Sequence, residues 1–259
     1  MTPGLGFRAP LFVPADRPER FAKAAASGAD AVILDLEDAV APSEKARARG
    51  ALAVDFADVP VIVRVNAAGT PWHKDDLAAV AQLDVAAVMI PKVEYTHALE
   101  PFREGPPLII LIESAAGVAN ARTLAAQVKS GLLAFGSVDY AADLGCAHDR
   151  WALLHARSEI VLASRLGGLP PPLDGVTLAV GDPATVADDA DHGRSLGFGG
   201  KLCIHPSQVA PTLGAYRPSQ KDLDWARRVL EAGEGVATVD GQMVDEPVRR
   251  RARRILDER

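Results

Sequence analysis

Residues 108–129 read LIILIESAAGVANARTLAAQVK, and this stretch decides the fold. Leu108–Ile112 is an apolar run with no polar alternation, the pattern of a strand buried on both faces, as in a parallel sheet. Glu113 ends the run, and a helical pattern follows over Val118–Lys129. The same unit recurs along the chain. Strands are expected at Ala9–Val13, Ala31–Leu36, Val61–Val65, Ala86–Ile90, Leu108–Ile112, Gly131–Phe135, Gly175–Val180 and Gly200–Ile204. Helical patterns lie between them at Pro18–Ser27, Ser43–Asp55, Asp75–Leu83, Tyr95–Phe102, Val118–Lys129, Arg150–Leu166 and Pro183–Leu196. Pro18 and Pro183 suit a first helical turn, and Ser43 suits an N-cap. Eight strands alternating with helices is the arithmetic of an α/β (β/α)8 TIM barrel. A doubly wound open sheet usually has fewer strands, and neither GxGxxG nor GxxxxGK[ST] occurs to support it.

The 259 residues suit one large domain of this kind. The barrel is expected over residues 1–220. A helical extension is expected over 221–259, with helices at Asp222–Glu231 and from Pro247, packing on the barrel or on a neighbouring subunit. The net charge of −6 argues against nucleic acid as the main partner. Two cysteines, Cys146 and Cys203, are too few for a disulfide framework and suit a reducing compartment. Cys203 lies in an apolar run and reads as a buried thiol. No stretch has the length of a signal peptide core or a membrane span. A soluble, cytoplasmic protein is expected.

Polar residues fall where the apolar runs end, and in a barrel those ends carry the chemistry. They are Pro14 to Arg17, Asp35-Leu36-Glu37-Asp38, Arg64-Val65-Asn66, Lys92 to Glu94, Glu113, Ser137 to Asp139, and His205. Glu113 and Asp139 end adjacent strands. Two converging carboxylates repel unless a proton or a hard cation neutralises them, and magnesium takes one or two protein carboxylates. Each could instead pair with a local Arg or Lys, or cap a helix. Arg64 inside a buried strand needs a partner. Its fork suits a substrate carboxylate or enolate oxygen, or an ion pair with Asp35 or Glu37. Lys92 reads as a structural partner of the acidic cluster, with Asp38 or Lys45 in a similar pairing role. His205 reads as a buried, hydrogen-bonded histidine, although a base is conceivable. No HxH or HExxH spacing supports zinc, and GxSxG is absent. Arg249, Arg250, Arg251, Arg253 and Arg254 read as a solvated helix face, or as a phosphate site for a handle such as coenzyme A.

LFVPADRPERFAKAAASGADAVILDLEDAV, VRVN, MIPKVE, LIESAAGVANA, FGSVDYAADLG, GFGGKLCIHPSQV and DGQMVDEPV cover nearly the whole chain. Together they closely resemble citrate lyase beta-subunit-like proteins of the HpcH/HpaI aldolase/citrate lyase group. The resemblance implies a TIM barrel, usually trimeric, that cleaves or forms a carbon–carbon bond in a 3-hydroxyacyl thioester such as citryl-, malyl- or citramalyl-CoA, with Mg2+. It implies that Glu113 and Asp139 hold the metal, with Glu113 also at the substrate. It places Arg64 on the oxo-acid carboxylate or enolate and Asp245 in proton transfer, often across a subunit boundary. Pro14 and Arg17 would lie near the thioester handle, which is coenzyme A or an acyl-carrier protein. Two alternatives stand beside it. A class II aldolase releasing pyruvate would carry a histidine soon after strand two, where this chain has Asp35-Leu36-Glu37-Asp38-Ala39 and no histidine before His73. A non-catalytic subunit that binds an acyl thioester would not need Arg64, Glu113, Asp139 and Asp245 together.

Overall fold

In the computed structural model the described residues are 5–56, 58–102 and 104–257. Eight parallel strands form one sheet in chain order. They are β1 Leu11–Pro14, β2 Val32–Asp35, β3 Val61–Arg64, β4 Ala87–Ile90, β5 Leu108–Ile112, β6 Gly131–Phe135, β7 Leu173–Asp174 and β8 Gly200–Lys201. The helices are α1 Phe21–Ala25, α2 Lys45–Gly50, α3 His73–Val80, α4 Ala115–Gln127, α5 Ser137–Leu144, α6 Leu154–Leu166, α7 Pro183–Leu196 and α8 Val209–Tyr216. The main chain also links the last strand to the first. The Lys201 amide donates to Arg8 O, the Cys203 amide to Pro10 O and the Phe12 amide to Cys203 O, each at 2.9 Å.

Both faces of the sheet are buried, which is why the strands show no polar alternation. Successive residues point to opposite sides. Ile33, Ile62, Met89, Ile109, Leu111, Leu132 and Ala134 form one cluster, drawn from every strand of that half of the sheet. Their neighbours Val32, Leu34, Val63, Ile90, Ile110, Ile112 and Leu133 pack with Leu124, Ala121 and Ile160 of the helices. Gly200 allows β8 to approach the chain ahead of β1, because a Cβ there would sit 2.3 Å from Phe7 O.

Seven of the expected strands coincide with observed ones, and the seventh is displaced. The expected Gly175–Val180 is loop; the strand is the two residues before it, Leu173–Asp174. Tyr95–Phe102 is a 3-10 helix over Thr96–Phe102. Ser43 is not an N-cap: a 3-10 turn starts at Pro42, with Ala41 ahead of it and no side-chain cap. Pro18 and Pro183 do open their helices, and Asp182 caps α7 through the Ala184 and Thr185 amides. α5 and α8 lie outside the expected helices.

The fold separates into two compact units between Leu213 and Gly214. In the second, α9 (Gln220–Glu231) opens with a capping box of Ser219 and Asp222. A hairpin of β9 (Ala237–Val239) and β10 (Gln242–Val244) follows, and then α10 (Glu246–Asp257). Ala226, Val229, Val244 and Ala252 form its small core. Arg249 departs from the expected solvated face: it is buried, and its Nε donates to Gly233 O at 2.7 Å. No described helix is long and apolar enough to cross a membrane.

Candidate active site

Strand register assembles the site. Asp35 and Arg64 are Cα partners at the ends of β2 and β3. The Arg64 fork grips Asp35, with Nε 2.8 Å from Oδ1 and Nη2 2.7 Å from Oδ2. Asp35 also accepts the amides of Glu37 and Ala39 and so shapes the loop that follows. Arg64 Nη1 lies 3.1 Å from Glu37 and 3.6 Å from Asp38, and the guanidinium stacks 4.8 Å from the Phe12 ring centre. Burial alone would lower the Arg64 pKa, but Asp35, Glu37 and Asp38 outweigh it and raise it further. Arg64 is therefore the ion-pair partner of Asp35 and Glu37, and its Nη1 edge faces the acidic loop.

Beneath this pair, Lys45 is buried and donates to Leu36 O, Glu37 O and Asn66 Oδ1 at 2.6–2.7 Å. Asn66 in turn donates to the fully buried Asp76, which Arg49 neutralises at 2.9 Å. Lys92 Nζ reaches Glu37 at 3.0 Å and Asp38 at 3.7 Å, the pairing expected of it. Asp38 is largely exposed.

Glu113 follows β5 and is only 3% exposed. Its Oε1 accepts the Lys92 amide at 2.7 Å. Its Oε2 is buried and has no hydrogen-bond partner among the described residues. Gly136 makes room for it, since a Cβ there would fall 2.4 Å from that oxygen. Burial, then the charges of Glu37 and Asp139, raise the Glu113 pKa well above that of an ordinary carboxylate, against the pull of Arg64 and the Lys92 amide. Burial raises Glu37 as well, opposed chiefly by Arg64. Asp139 sits in the first turn of α5, with no hydrogen bond or ion pair among the described residues. No group of three or more His, Cys, Asp or Glu with metal-binding geometry occurs among the described residues. The place offers two hard carboxylates, one with a bare oxygen. That is the donor set magnesium accepts, with water and substrate oxygens filling its octahedron.

Pro14 ends β1, and its carbonyl accepts the Arg17 amide at 3.0 Å, which folds the loop back; Arg17 is exposed. Asp245 belongs to the second unit, where its Oδ1 caps α10 through the Val248 amide at 3.2 Å. His205 is exposed rather than buried, and caps a 3-10 turn through the Ser207 amide.

A second polar group, of which the sequence reading contains only Ser137, lies at the ends of β7 and β8. Asp174 and Lys201 end β7 and β8 as register partners. Both are buried, and Arg157 of α6 binds Asp174 at 2.9 Å. Lys201 Nζ donates to Gly175 O. Ser137 meets His148 Nε2 at 2.9 Å. Burial, then Arg157 and Lys201, lower the His148 pKa, which favours the neutral ring beside Ser137.

A parallel α/β sheet with carboxylates and an arginine gathered at its strand ends has the layout of a barrel-type active site. The HpcH/HpaI aldolase/citrate lyase family model matches residues 8–206, and the chain belongs to that family. A citrate lyase subunit beta-like protein of Mycobacterium tuberculosis is 42% identical over 263 residues, covering 95% of this chain and 93% of that one. A (3S)-malyl-CoA thioesterase of Cereibacter sphaeroides is 36% identical over 256 residues, covering 92% and 90%. The crystal structure of CitE from Mycobacterium tuberculosis with magnesium, acetoacetate and coenzyme A superposes with a TM-score of 0.88 at 40% identity, covering 97% of each chain.

Proposed function

We propose that the chain is a magnesium-dependent carbon–carbon lyase. Its substrate would be a 3-hydroxyacyl-CoA thioester of the malyl, citramalyl or citryl type, split into an acyl-CoA and an oxo acid. One observation carries the reading: Glu113 keeps a buried, unpartnered carboxylate oxygen where the Asp139 charge is felt. Relatives named for citrate lyase and malyl-CoA, and a neighbour holding magnesium and coenzyme A, support it. The main-chain bonds between β8 and β1 support a closed (β/α)8 barrel; residues 1–220 would carry it, with 221–259 as the extension. The free Cys146 and Cys203 support a reducing, cytoplasmic setting.

Glu113 and Asp139 would hold Mg2+, which when bound supplies a Lewis acid for the oxo-acid oxygens. Arg64, fixed by Asp35, presents a rigid positive charge where carboxylate or enolate charge collects. Lys45 fixes the Leu36 and Glu37 carbonyls of the loop that carries the carboxylates facing Arg64. Asp245 would carry the proton that quenches the carbanion, shared between subunits of a homotrimer. Pro14 and Arg17 would flank the thioester handle, coenzyme A or an acyl-carrier protein.

The thioesterase name among the relatives gives a second reading, hydrolysis of the thioester. Malyl-CoA separates the two. Carbon–carbon cleavage yields glyoxylate with acetyl-CoA, whereas hydrolysis yields malate with free thiol. Glyoxylate formed in step with acetyl-CoA, and stopped by EDTA, is the expected result; free thiol without oxo acid would contradict it. In the same assay, inactive Asp245→Ala and inactive Glu113→Gln protein mixed after partial dissociation should regain turnover. No recovery in verified mixed oligomers would contradict the shared site.

A further inference from the structure

Among the described non-glycine residues only Lys92 and Asp240 have a positive φ, +54° and +52°. Asp240 sits with Gly241 in the tight turn between β9 and β10, where that conformation is routine. Lys92 has no such excuse. Lysine has no short polar side chain to bond its own backbone and offset the left-handed strain, so neighbouring structure must hold it there. Pro91 fixes the chain before it, and Val93, 1% exposed, anchors the chain after it.

The left-handed φ turns the chain that follows the Lys92 amide, and the amide itself leaves the ladder. β4 and β5 pair in register up to Ile90 and Ile110. Two residues further on, the Lys92 N–H bonds the Glu113 side chain instead of continuing the ladder. That bond occupies Oε1 and leaves Oε2 bare against Gly136. We propose that Lys92 is a positioning residue whose left-handed backbone, through its amide, holds Glu113 with one oxygen open to a divalent cation. Its ammonium has a separate task, neutralising Glu37 and Asp38. The inference rests on reading Glu113 as a metal ligand.

The test separates backbone from charge. Lys92→Gly and Lys92→Asn lose the ammonium but adopt the left-handed conformation readily. Lys92→Val and Lys92→Ile lose the same charge but resist that conformation. Calorimetric titration of each metal-free variant with Mg2+ alone should give β-branched variants that bind at least about tenfold more weakly than the glycine and asparagine pair. Equal affinities across the four overturn the proposal. Should the β-branched variants not fold, the Lys92 amide resonance of 15N-labelled wild-type protein decides. It should move on Mg2+ addition and stay still in Glu113→Gln; a resonance that does not move in wild type overturns the proposal. Mg2+ affinity unaffected by Glu113→Gln would overturn the metal assignment itself, and the positioning role with it. Affinity lost in Glu113→Gln but equal across the Lys92 set overturns the positioning role alone.

Discussion

Glu113→Gln should lower Mg2+ affinity at least about a hundredfold and turnover on the order of a thousandfold, with the fold intact. Glutamine fills the same volume and can still accept the Lys92 amide, so what it removes is the charge on the bare oxygen. Asp139→Asn should show the same loss. The pH dependence follows from the raised Glu113 pKa. Its folded value lies above its unfolded value, so its contribution to metal-free stability is complete below about 4.5. That contribution fades as pH rises through the folded value. Mg2+ competes with the proton for the same oxygen. Thermal stabilisation by Mg2+ should therefore be larger at mildly alkaline than at mildly acidic pH, and Glu113→Gln should flatten the difference. Equal stabilisation at both, or an undiminished Mg2+ effect in the variant, would contradict the assignment.

Arg64→Met should abolish turnover and destabilise the protein by about 3–5 kcal/mol, because it strands the buried Asp35 without its cation and leaves Glu37 with Lys92 alone. The loss should shrink as pH falls, since the stranded carboxylates can then protonate. Arg64→Lys should recover part of the stability but little of the turnover. A lysine restores charge without the fork that grips both Asp35 oxygens. Denaturant unfolding of both variants checks this, and a loss under about 1 kcal/mol for Arg64→Met, the range of an exposed pair, would contradict the buried pairing.

The elements that were legible in the sequence were those with one dominant signal. Leu108–Ile112 is apolar throughout and ends at a carboxylate, so strand, burial and site position follow together. β7 was misplaced because Gly175–Val180 is longer and more apolar than Leu173–Asp174, which is squeezed behind Pro170-Pro171-Pro172. That displacement hides Asp174, although a lone carboxylate ending an apolar step is the signal that marks Glu113. Lys201 was hidden by reading its strand through to His205. The β9–β10 hairpin carries a recognised cue, Asp240-Gly241 between Val239 and Gln242, lost among neighbouring glycines. The second role of Lys92 has no sequence signal, because it depends on a backbone angle and on which main-chain group turns toward Glu113.

The most direct measurement locates the metal. Mn2+ accepts the same oxygen ligands as Mg2+ and scatters anomalously. Crystals grown with Mn2+ at a concentration that supports turnover should show one strong anomalous peak about 2.1 Å from Glu113 Oε2, with Asp139 as its other protein ligand. A peak elsewhere, or no peak at this place, would contradict the account.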